Sequence, residues 1–205
     1  DHFAATTRSD IGFVTNFGRI IRIHAADIPA STDPTDLGSG VKAADFLDLA
    51  KKETCLHAFV LDDKARLAIG TKQGVVKRLT NDWPNKHDFE IISLKPGDEL
   101  VGACQASDTQ EFVFITTGAQ LLRFKADTVR ATGRGAAGIA GMNLTANDSA
   151  IFFSAVNTSD VVITAANSTA ALNGTDPGSI KASMLEEFPA KGRATGGVRA
   201  HKFIP

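Results

Sequence analysis

Two Gly-Arg segments combine residue types that are suited to holding phosphate groups. The chain reads GRGAAGIAG at residues 133–141 and KGRATGGVRAHK at residues 191–202. Both fit the pattern GR-x-x-x-G-[IV], which makes Gly138 and Gly197 equivalent. Glycines leave backbone N–H groups accessible to phosphate oxygens, and Arg and Lys supply positive charge. The segments therefore predict anion-binding loops, although loops of this composition are also common as plain strand connections.

A second motif, T-x-x-G-x-x-x-R, places an arginine at a fixed distance from a turn. It occurs as TNFGRIIR, TKQGVVKR and, with Ala in place of Gly, TTGAQLLR. Two interpretations of Arg22, Arg78 and Arg123 stay open. They form a cationic band along one rim, or each pairs with an acid of its own repeat, such as Asp98 or Asp148.

The charges are unevenly spread although the net charge is only −1. Four windows hold thirteen of the 22 Lys and Arg residues and a single acid, Asp127. The windows are residues 15–24, 71–79, 119–134 and 191–202. Because each window falls at the same stage of a repeated unit, the basic residues are expected to return to the same rim of a radial array.

The repeat itself is defined by two landmarks. The motif threonines are Thr15, Thr71 and Thr116, and a decayed copy starts at Thr164. A leucine followed four residues later by an acid alternates with them, as in Leu94–Asp98. The period of about fifty residues predicts units of roughly four short strands, with boundaries near 1–61, 62–107, 108–157 and 158–205.

Each unit reads as an apolar strand, a tight turn and a second strand. Gly18 and Gly74 supply the positive φ that such a turn needs, and Asn167 can do so at modest cost. Ala119 is poorly suited, so Gly118 is expected to take over its role. The helical pattern at residues 43–52 is discounted, because the leucine–acid landmark it contains reads as a strand in the sister units.

Taken together, the residues resemble the C-terminal domain of the A subunit of bacterial type IIA topoisomerases, which are DNA gyrase and topoisomerase IV. The resemblance covers essentially the whole chain and lies in VTNFGRIIRIHAADIP, IGTKQGVVKRL, SLKPGDELVGA, GRGAAGIAGMNL and FPAKGRATGGVRAHKF. It implies an all-β fold, the β-pinwheel, a propeller-like array with about four blades here. In the fourth copy Ala171 stands where the hairpin arginine is expected.

The resemblance also implies a function, accessory binding and bending of duplex DNA around a basic rim. The implied DNA-binding residues are Arg19, Arg22, Lys72, Lys77, Arg78, Arg123, Lys125, Arg130, Arg134, Lys191, Arg193, Arg199 and Lys202. The gyrase heptapeptide Gln-Arg-Arg-Gly-Gly-Lys-Gly is absent, which favours a parent of the topoisomerase IV type or a chain that begins after the blade carrying it. The Asp1 start and the small number of units are expected for part of a longer protein.

The chain is not expected to be an enzyme by itself. It has no tyrosine, the nucleophile for strand cleavage in the family, and no phosphate-binding loop of the GxxxxGK[ST] type. No cofactor or metal is expected in this chain, whereas the parent enzyme would use ATP and Mg²⁺. The implied partners are duplex DNA, the catalytic core of the same subunit and the ATPase B subunit, in the cytoplasm at the nucleoid. The alternative is a protein-interaction β-propeller without DNA binding.

Overall fold

The structure is a computed structural model that describes residues 3–30, 40–166 and 178–202. Regular structure in these ranges is mostly short β-strand, which confirms the predicted all-β class. None of the helices in these ranges is long and apolar enough to cross a bilayer.

The regular elements are short and follow one another closely along the chain. The strands are β1 (Asp10–Thr15), β2 (Arg19–His24), β3 (Cys55–Val60), β4 (Leu67–Thr71), β5 (Val75–Leu79), β6 (Asp88–Glu90), β7 (Leu100–Gln105), β8 (Glu111–Thr116), β9 (Gln120–Lys125), β10 (Ala131–Thr132), β11 (Ile139–Ala140), β12 (Ala150–Val156), β13 (Val161–Ala166), β14 (Ser179–Met184) and β15 (Val198–Arg199). One helix, α1 (Ala43–Phe46), and 3-10 turns at Ala25–Asp27, Ala126–Thr128 and Leu185–Glu187 complete the set.

The strands form three blades and a fourth hairpin. Blade 1 has the strand order β3-β1-β2-β6, and blade 3 has the order β12-β8-β9-β15. Blade 2 has the order β7-β4-β5, with β10 and β11 both pairing with β5, and β13 pairs with β14 as hairpin 4. Each blade therefore takes its last strand from the following sequence repeat. The repeats predicted with boundaries near 62, 108 and 158 thus do not coincide with blades, because each of these repeats also supplies a strand to the preceding blade.

The side chain of Phe153 packs between blades 2 and 3. This residue, on β12, is 3% exposed, and its ring lies tilted against the rings of Phe112 and Phe114. A Cβ atom added to Gly70 would lie 2.3 Å from Cγ of Phe153, and one added to Gly102 would lie 2.1 Å from its carbonyl oxygen. These two glycines permit the close approach of the blades, because any side chain there would displace Phe153.

The hairpin turns show where glycine was correctly expected and where it was not. Gly18 and Gly74 have φ values of 77° and 79°, as predicted. Ala119 has a φ of 54°, so the prediction that Gly118 takes over its role is wrong. The turn position is set by its distance from the threonine, because Ala119 N donates to Thr116 O at 2.9 Å. Gly118 N instead donates to Oδ1 of Asp148 at 2.8 Å.

The leucine–acid landmarks are turns that precede strands, and the strand prediction for them is wrong. Asp148 accepts hydrogen bonds from Oγ1 of Thr116 at 2.6 Å, Oγ1 of Thr117 at 2.6 Å and the N–H of Ser149 at 2.9 Å. The landmark acid therefore ties the hairpin turn to the outer strand of its blade. The discounted helix also exists, as the single turn α1 at Ala43–Phe46.

Hairpin 4 differs in register from the sequence-based alignment. Val161 pairs with Met184 as Asp10 pairs with His24, and each second strand is followed by a 3-10 turn. By this register Ala182, opposite Ile163, occupies the place of the hairpin arginine. Ala171, which was predicted there, lies outside the described residues, as does the predicted turn residue Asn167.

Candidate nucleic-acid interface

The three hairpin arginines are held by carboxylates. Arg123 is 8% exposed, and its guanidinium donates to Oε2 of Glu111 at 2.6 Å and to Phe188 O at 2.7 Å. Nη2 of Arg78 lies 2.6 Å from Oδ1 of Asp108. Both residues therefore form ion pairs, Arg123 with an acid of its own repeat and Arg78 with an acid of the next repeat, and neither acid is the suggested Asp98 or Asp148.

Arg22 occupies the corresponding position in blade 1 and is held more loosely. Its Nε lies 3.6 Å from Oδ2 of Asp10, and its Nη1 donates to Oδ1 of Asn85 at 3.2 Å. The side chain is 15% exposed. Arg22 is thus partly neutralised and contributes little free charge to a surface.

The cations beside the hairpin arginines are also engaged. Arg19 forms a two-point ion pair with Glu53, with both N–O distances 2.6 Å, and contacts Asp88. The Arg19 guanidinium holds the pKa of Glu53 down at about 2, against the opposing effect of burial. Lys72 pairs with Glu99 at 3.0 Å on the surface. The charges of Arg19 and Lys72 are therefore neutralised by neighbouring carboxylates.

Lys77 lies in the interior and is 1% exposed, so its predicted place on a DNA-binding rim is wrong. The band of hairpin cations predicted from the T-x-x-G-x-x-x-R motif is accordingly contradicted at Lys77, Arg78 and Arg123. The physical reason is that β2, β5 and β9, the second strands of the three motif hairpins, each lie between other strands of their blade, so their side chains pack within or between blades.

A second set of cations is exposed and has no carboxylate within 4.0 Å among the described residues. Its members are Lys125, Arg130, Lys191, Arg193, Arg199 and Lys202. Arg134 is half-buried, with its guanidinium 5.7 Å from the ring centre of Phe89. All of these come from the Gly-Arg segments or from the stretch of chain that leads into the first of them.

The two Gly-Arg segments lie side by side. Ala194 N donates to Gly141 O at 2.7 Å, and Asn143 N donates to Thr195 O at 3.0 Å. Arg193 reaches across the junction, with Nη1 3.3 Å from Ala140 O. The segments of two successive repeats are therefore joined backbone to backbone, and Arg193 of the second lies against the end of the first.

The equivalence predicted for Gly138 and Gly197 is confirmed by their packing. A Cβ atom at Gly138, where φ is 81°, would lie 2.7 Å from Cγ1 of Val75. One at Gly197 would lie 2.8 Å from Leu121 O. Each glycine thus brings its segment down onto the second strand of a hairpin, β5 in blade 2 and β9 in blade 3.

The second loop is held by exposed local contacts. Nζ of Lys191 donates to Gly196 O at 2.7 Å, and Oγ1 of Thr195 donates to Gly192 O at 2.7 Å. The first loop is held from within by Lys77, a residue that the sequence placed on the rim. A usable signal was present, because Lys77 replaces the aliphatic residues Ile21 and Leu122 of the sister repeats.

No group of three or more His, Cys, Asp or Glu side chains able to hold a metal ion occurs in the described residues. The surface offers cations, backbone N–H groups and hydroxyls, which are groups suited to contacting a polyanion.

Four-stranded blades that exchange an edge strand with the next repeat define a β-pinwheel domain. A family profile described as "DNA gyrase C-terminal domain, beta-propeller" matches residues 11–32, 110–157 and 184–202. The chain is thus similar to the C-terminal domains of DNA gyrase A subunits, and its fold is the β-pinwheel.

Relatives in sequence are DNA gyrase A subunits. That of Streptomyces coelicolor is 28% identical over 98% of this chain and 24% of the relative, and that of Mycobacterium bovis is 27% identical over 96% and 23%. The chain thus spans about a quarter of the length of these relatives.

Solved structures share the fold. The C-terminal domain of DNA topoisomerase IV superposes with a TM-score of 0.78 at 24% identity, covering 94% of this chain and 58% of that one. The DNA gyrase A C-terminal domain superposes with a TM-score of 0.68 at 18% identity, covering 97% and 63%.

Proposed function

We propose that the chain binds duplex DNA along the joined Gly-Arg segments and bends it, as a non-catalytic domain of a type II topoisomerase A subunit. The observation that carries the proposal is the direct backbone contact between the two segments, at Ala194–Gly141 and Asn143–Thr195. It places the second segment, which carries Arg193, directly against the end of the first. The predicted rim is therefore relocated from the hairpin strands to the loops that follow them.

Binding on such a surface is electrostatic and independent of base sequence. The cations Lys125, Arg130, Lys191, Arg193, Arg199 and Lys202 would each displace counterions condensed on the phosphates. None of the helices in the described residues exceeds four residues, so none can serve as a recognition helix in the major groove. Bending by ~90° costs on the order of a few kcal/mol, which additional phosphate contacts offset.

At the level of the parent protein, the bent segment would be presented to the catalytic core of the same subunit. The parent would be an ATP- and Mg²⁺-dependent topoisomerase working with an ATPase B subunit at the bacterial nucleoid. Strand cleavage in such enzymes requires a tyrosine, and this chain contains none. The choice between a gyrase and a topoisomerase IV parent stays open, since the sequence relatives are gyrases and the structural match with the TM-score of 0.78 is topoisomerase IV.

The proposal is tested by a salt titration of duplex binding, followed by fluorescence anisotropy. Use of ~6 phosphates predicts a log–log slope of about −5 and little dependence on base sequence. Replacing Arg193 and Arg199 together by Ala should make the slope less steep by about 2. The matched control Lys72→Ala should leave the slope unchanged, because Lys72 is already paired with Glu99. Bending is read separately, from energy transfer between dyes at the two ends of the duplex.

An absence of duplex binding at low salt would overturn the proposal and favour the protein-interaction propeller. A slope unaffected by the double substitution would equally count against it, since the binding surface would then lie elsewhere.

A further inference from the structure

Lys77 is a charged residue in a position where the sister repeats carry aliphatic side chains. The preceding and following hairpins have Ile21 and Leu122 there, 1% and 0% exposed, and Lys77 is equally buried at 1%. Its Nζ donates to Ile91 O at 2.8 Å, to Arg134 O at 2.8 Å and to Ala136 O at 2.7 Å. An ammonium group has three N–H donors, and all three are used.

Two of these acceptors belong to the first Gly-Arg loop, residues 133–138, and they fix its orientation. The C=O of Arg134 and the N–H of Gly135 belong to one peptide group, and the C=O of Ala136 and the N–H of Ala137 belong to another. In a trans peptide the C=O and N–H bonds point in opposite directions, and no peptide bond among the described residues is cis. Since Lys77 draws both carbonyls inward, both N–H groups point outward.

These N–H groups are free to bind a ligand. Gly135 and Ala137 are exposed, and their N–H groups have no hydrogen-bond partner within the described residues. The loop is also held at its two sides. The Arg134 guanidinium lies over the Phe89 ring, and Gly138 packs on β5. Two fixed donors, two residues apart and lying above a buried cation, match the oxygens of a phosphate group.

We propose that residues 133–138 form a phosphate-binding loop whose orientation and charge are set from beneath by Lys77. The proposal deepens the proposed function, which supplies the duplex backbone as the source of the phosphate. Lys77 would act as a positioning residue, because its donors are occupied by carbonyls and do not reach the ligand. Among the described residues the second loop, above Leu122, has no such internal cation, and it would contribute charge through surface cations such as Lys191, Arg193 and Arg199.

Acidic neighbours limit the strength of the site. Asp82, Asp88 and Glu90 line the same cleft as the loop, a space of about 780 Å³ that also contains Lys86. Asp88 is engaged by Arg19, and Asp82 accepts a hydrogen bond from Oγ1 of Thr80 at 2.6 Å. Of these acids, Asp82 acts on Lys77 through its charge.

The site should couple phosphate binding to a proton. Burial lowers the pKa of Lys77 to about 8, while Asp82 works to raise it and Arg134 works to lower it further. An anion on the loop favours the charged ammonium and therefore raises this pKa again. By linkage, binding near pH ~8 takes up a proton and weakens as the pH rises above that value.

The test compares the chain with K77M, which keeps the length of the side chain and removes its charge and donors. The control is K72M, which replaces a lysine that pairs with Glu99 and makes no hydrogen bond to the loop among the described residues. For duplex binding, K77M should weaken affinity roughly tenfold, the loss expected when charge-assisted contacts are removed. Proton uptake near pH ~8, measured calorimetrically in buffers of different ionisation enthalpy, should be present in the chain and in K72M and absent in K77M.

Two further measurements separate this inference from the proposed function. Titration with inorganic phosphate, followed by NMR, should shift the amide signals of Gly135 and Ala137 in the chain and not in K77M. The surface variant D82N should move the pH midpoint of binding downward, because Asp82 raises the pKa of Lys77. D82N keeps the test available even where K77M folds poorly.

The outcomes are distinct. Duplex binding without proton uptake, and without a response of the loop amides to phosphate, would overturn the role of the loop and leave the proposed function standing. Loop amides that respond to phosphate in a chain that binds no duplex would support the loop and overturn the proposed function. An unchanged pH dependence in K77M would overturn the role of Lys77.

Discussion

Blade 3 and hairpin 4 begin with the same two-stranded hairpin and differ in what surrounds it. In blade 3, β8 and β9 lie between β12 and β15, and Val113 is 1% exposed. In hairpin 4, β13 and β14 pair only with each other in the described residues, and Ile163, the residue in the place of Val113, is 67% exposed. The hairpin pattern alone therefore buries little, and burial comes from the flanking strands and the neighbouring blade.

The difference extends to the charged pair. Glu111 and Arg123 form a buried ion pair across β8 and β9, whereas Val161 and Ala182 occupy the same places in β13 and β14. The acid and the arginine are absent together from hairpin 4. This pattern indicates that Arg123 serves the interior of blade 3, where an unpaired partner would be costly.

The largest expected effect comes from the contact that closes blade 3 onto blade 2. Phe153→Ala should lower the free energy of unfolding by about 3–5 kcal/mol, because it empties the space against Gly70 and Gly102 that nothing else can fill. The neighbouring Phe152, on the opposite face of β12 and 43% exposed, is the matched control. Phe152→Ala should cost less than about 1 kcal/mol. Chemical denaturation measures both.

Equal losses for the two phenylalanines would contradict the comparison, since the outer face of β12 would then be packed as firmly as its inner face.

A smaller effect is expected from the ion pair. Arg123→Met should cost about 3 kcal/mol, because it leaves Glu111 and the Phe188 carbonyl without their donor. Installing the pair in hairpin 4, as V161E with A182R, should change stability by less than about 1 kcal/mol, since an exposed pair is screened by water. Urea denaturation of both variants gives the two values. A large gain in stability from the transplanted pair would show that hairpin 4 is more enclosed than the 67% exposure of Ile163 indicates.

The fold was largely predictable because each repeat is marked by residue types at fixed local spacings. Threonine and apolar alternation recur at fixed distances, with a turn glycine in two of the three copies, and the same hairpin forms in β1–β2, β4–β5 and β8–β9. The exchange of edge strands was not predictable in this way. The pairing of β6 with β2 joins residues about seventy positions apart and depends on the packing of whole blades, which no local pattern records.

The structural setting of the candidate site residues was predicted in part: the Gly-Arg segments carry exposed cations, whereas Lys77 is buried. The Gly-Arg segments were found because bare backbone and positive charge are visible as composition. The hairpin cations were misassigned because sequence alone does not show which face of a strand meets a carboxylate. Lys77 is the clearest example of this misassignment. A lysine is expected on the surface from sequence alone, and only the structure shows the three carbonyl groups that accept its hydrogen bonds in the interior.

The smallest effect concerns a turn that blade 3 builds without glycine. Ala119 holds a φ of 54°, a conformation that costs an L-residue about 1–2 kcal/mol, while Gly18 and Gly74 adopt it freely in blades 1 and 2. Ala119→Gly removes this cost but adds freedom to the unfolded chain worth about 0.4–1 kcal/mol. The net expectation is a gain of a few tenths to about 1 kcal/mol in the free energy of unfolding. The reverse change, Gly74→Ala, should be clearly destabilising, because its Cβ would lie 2.5 Å from Met142 O. If Ala119→Gly proved destabilising, the methyl group of this 7% exposed residue would have to stabilise the turn by more than the strain costs, and blade 3 would then differ from its sisters in packing as well as in sequence.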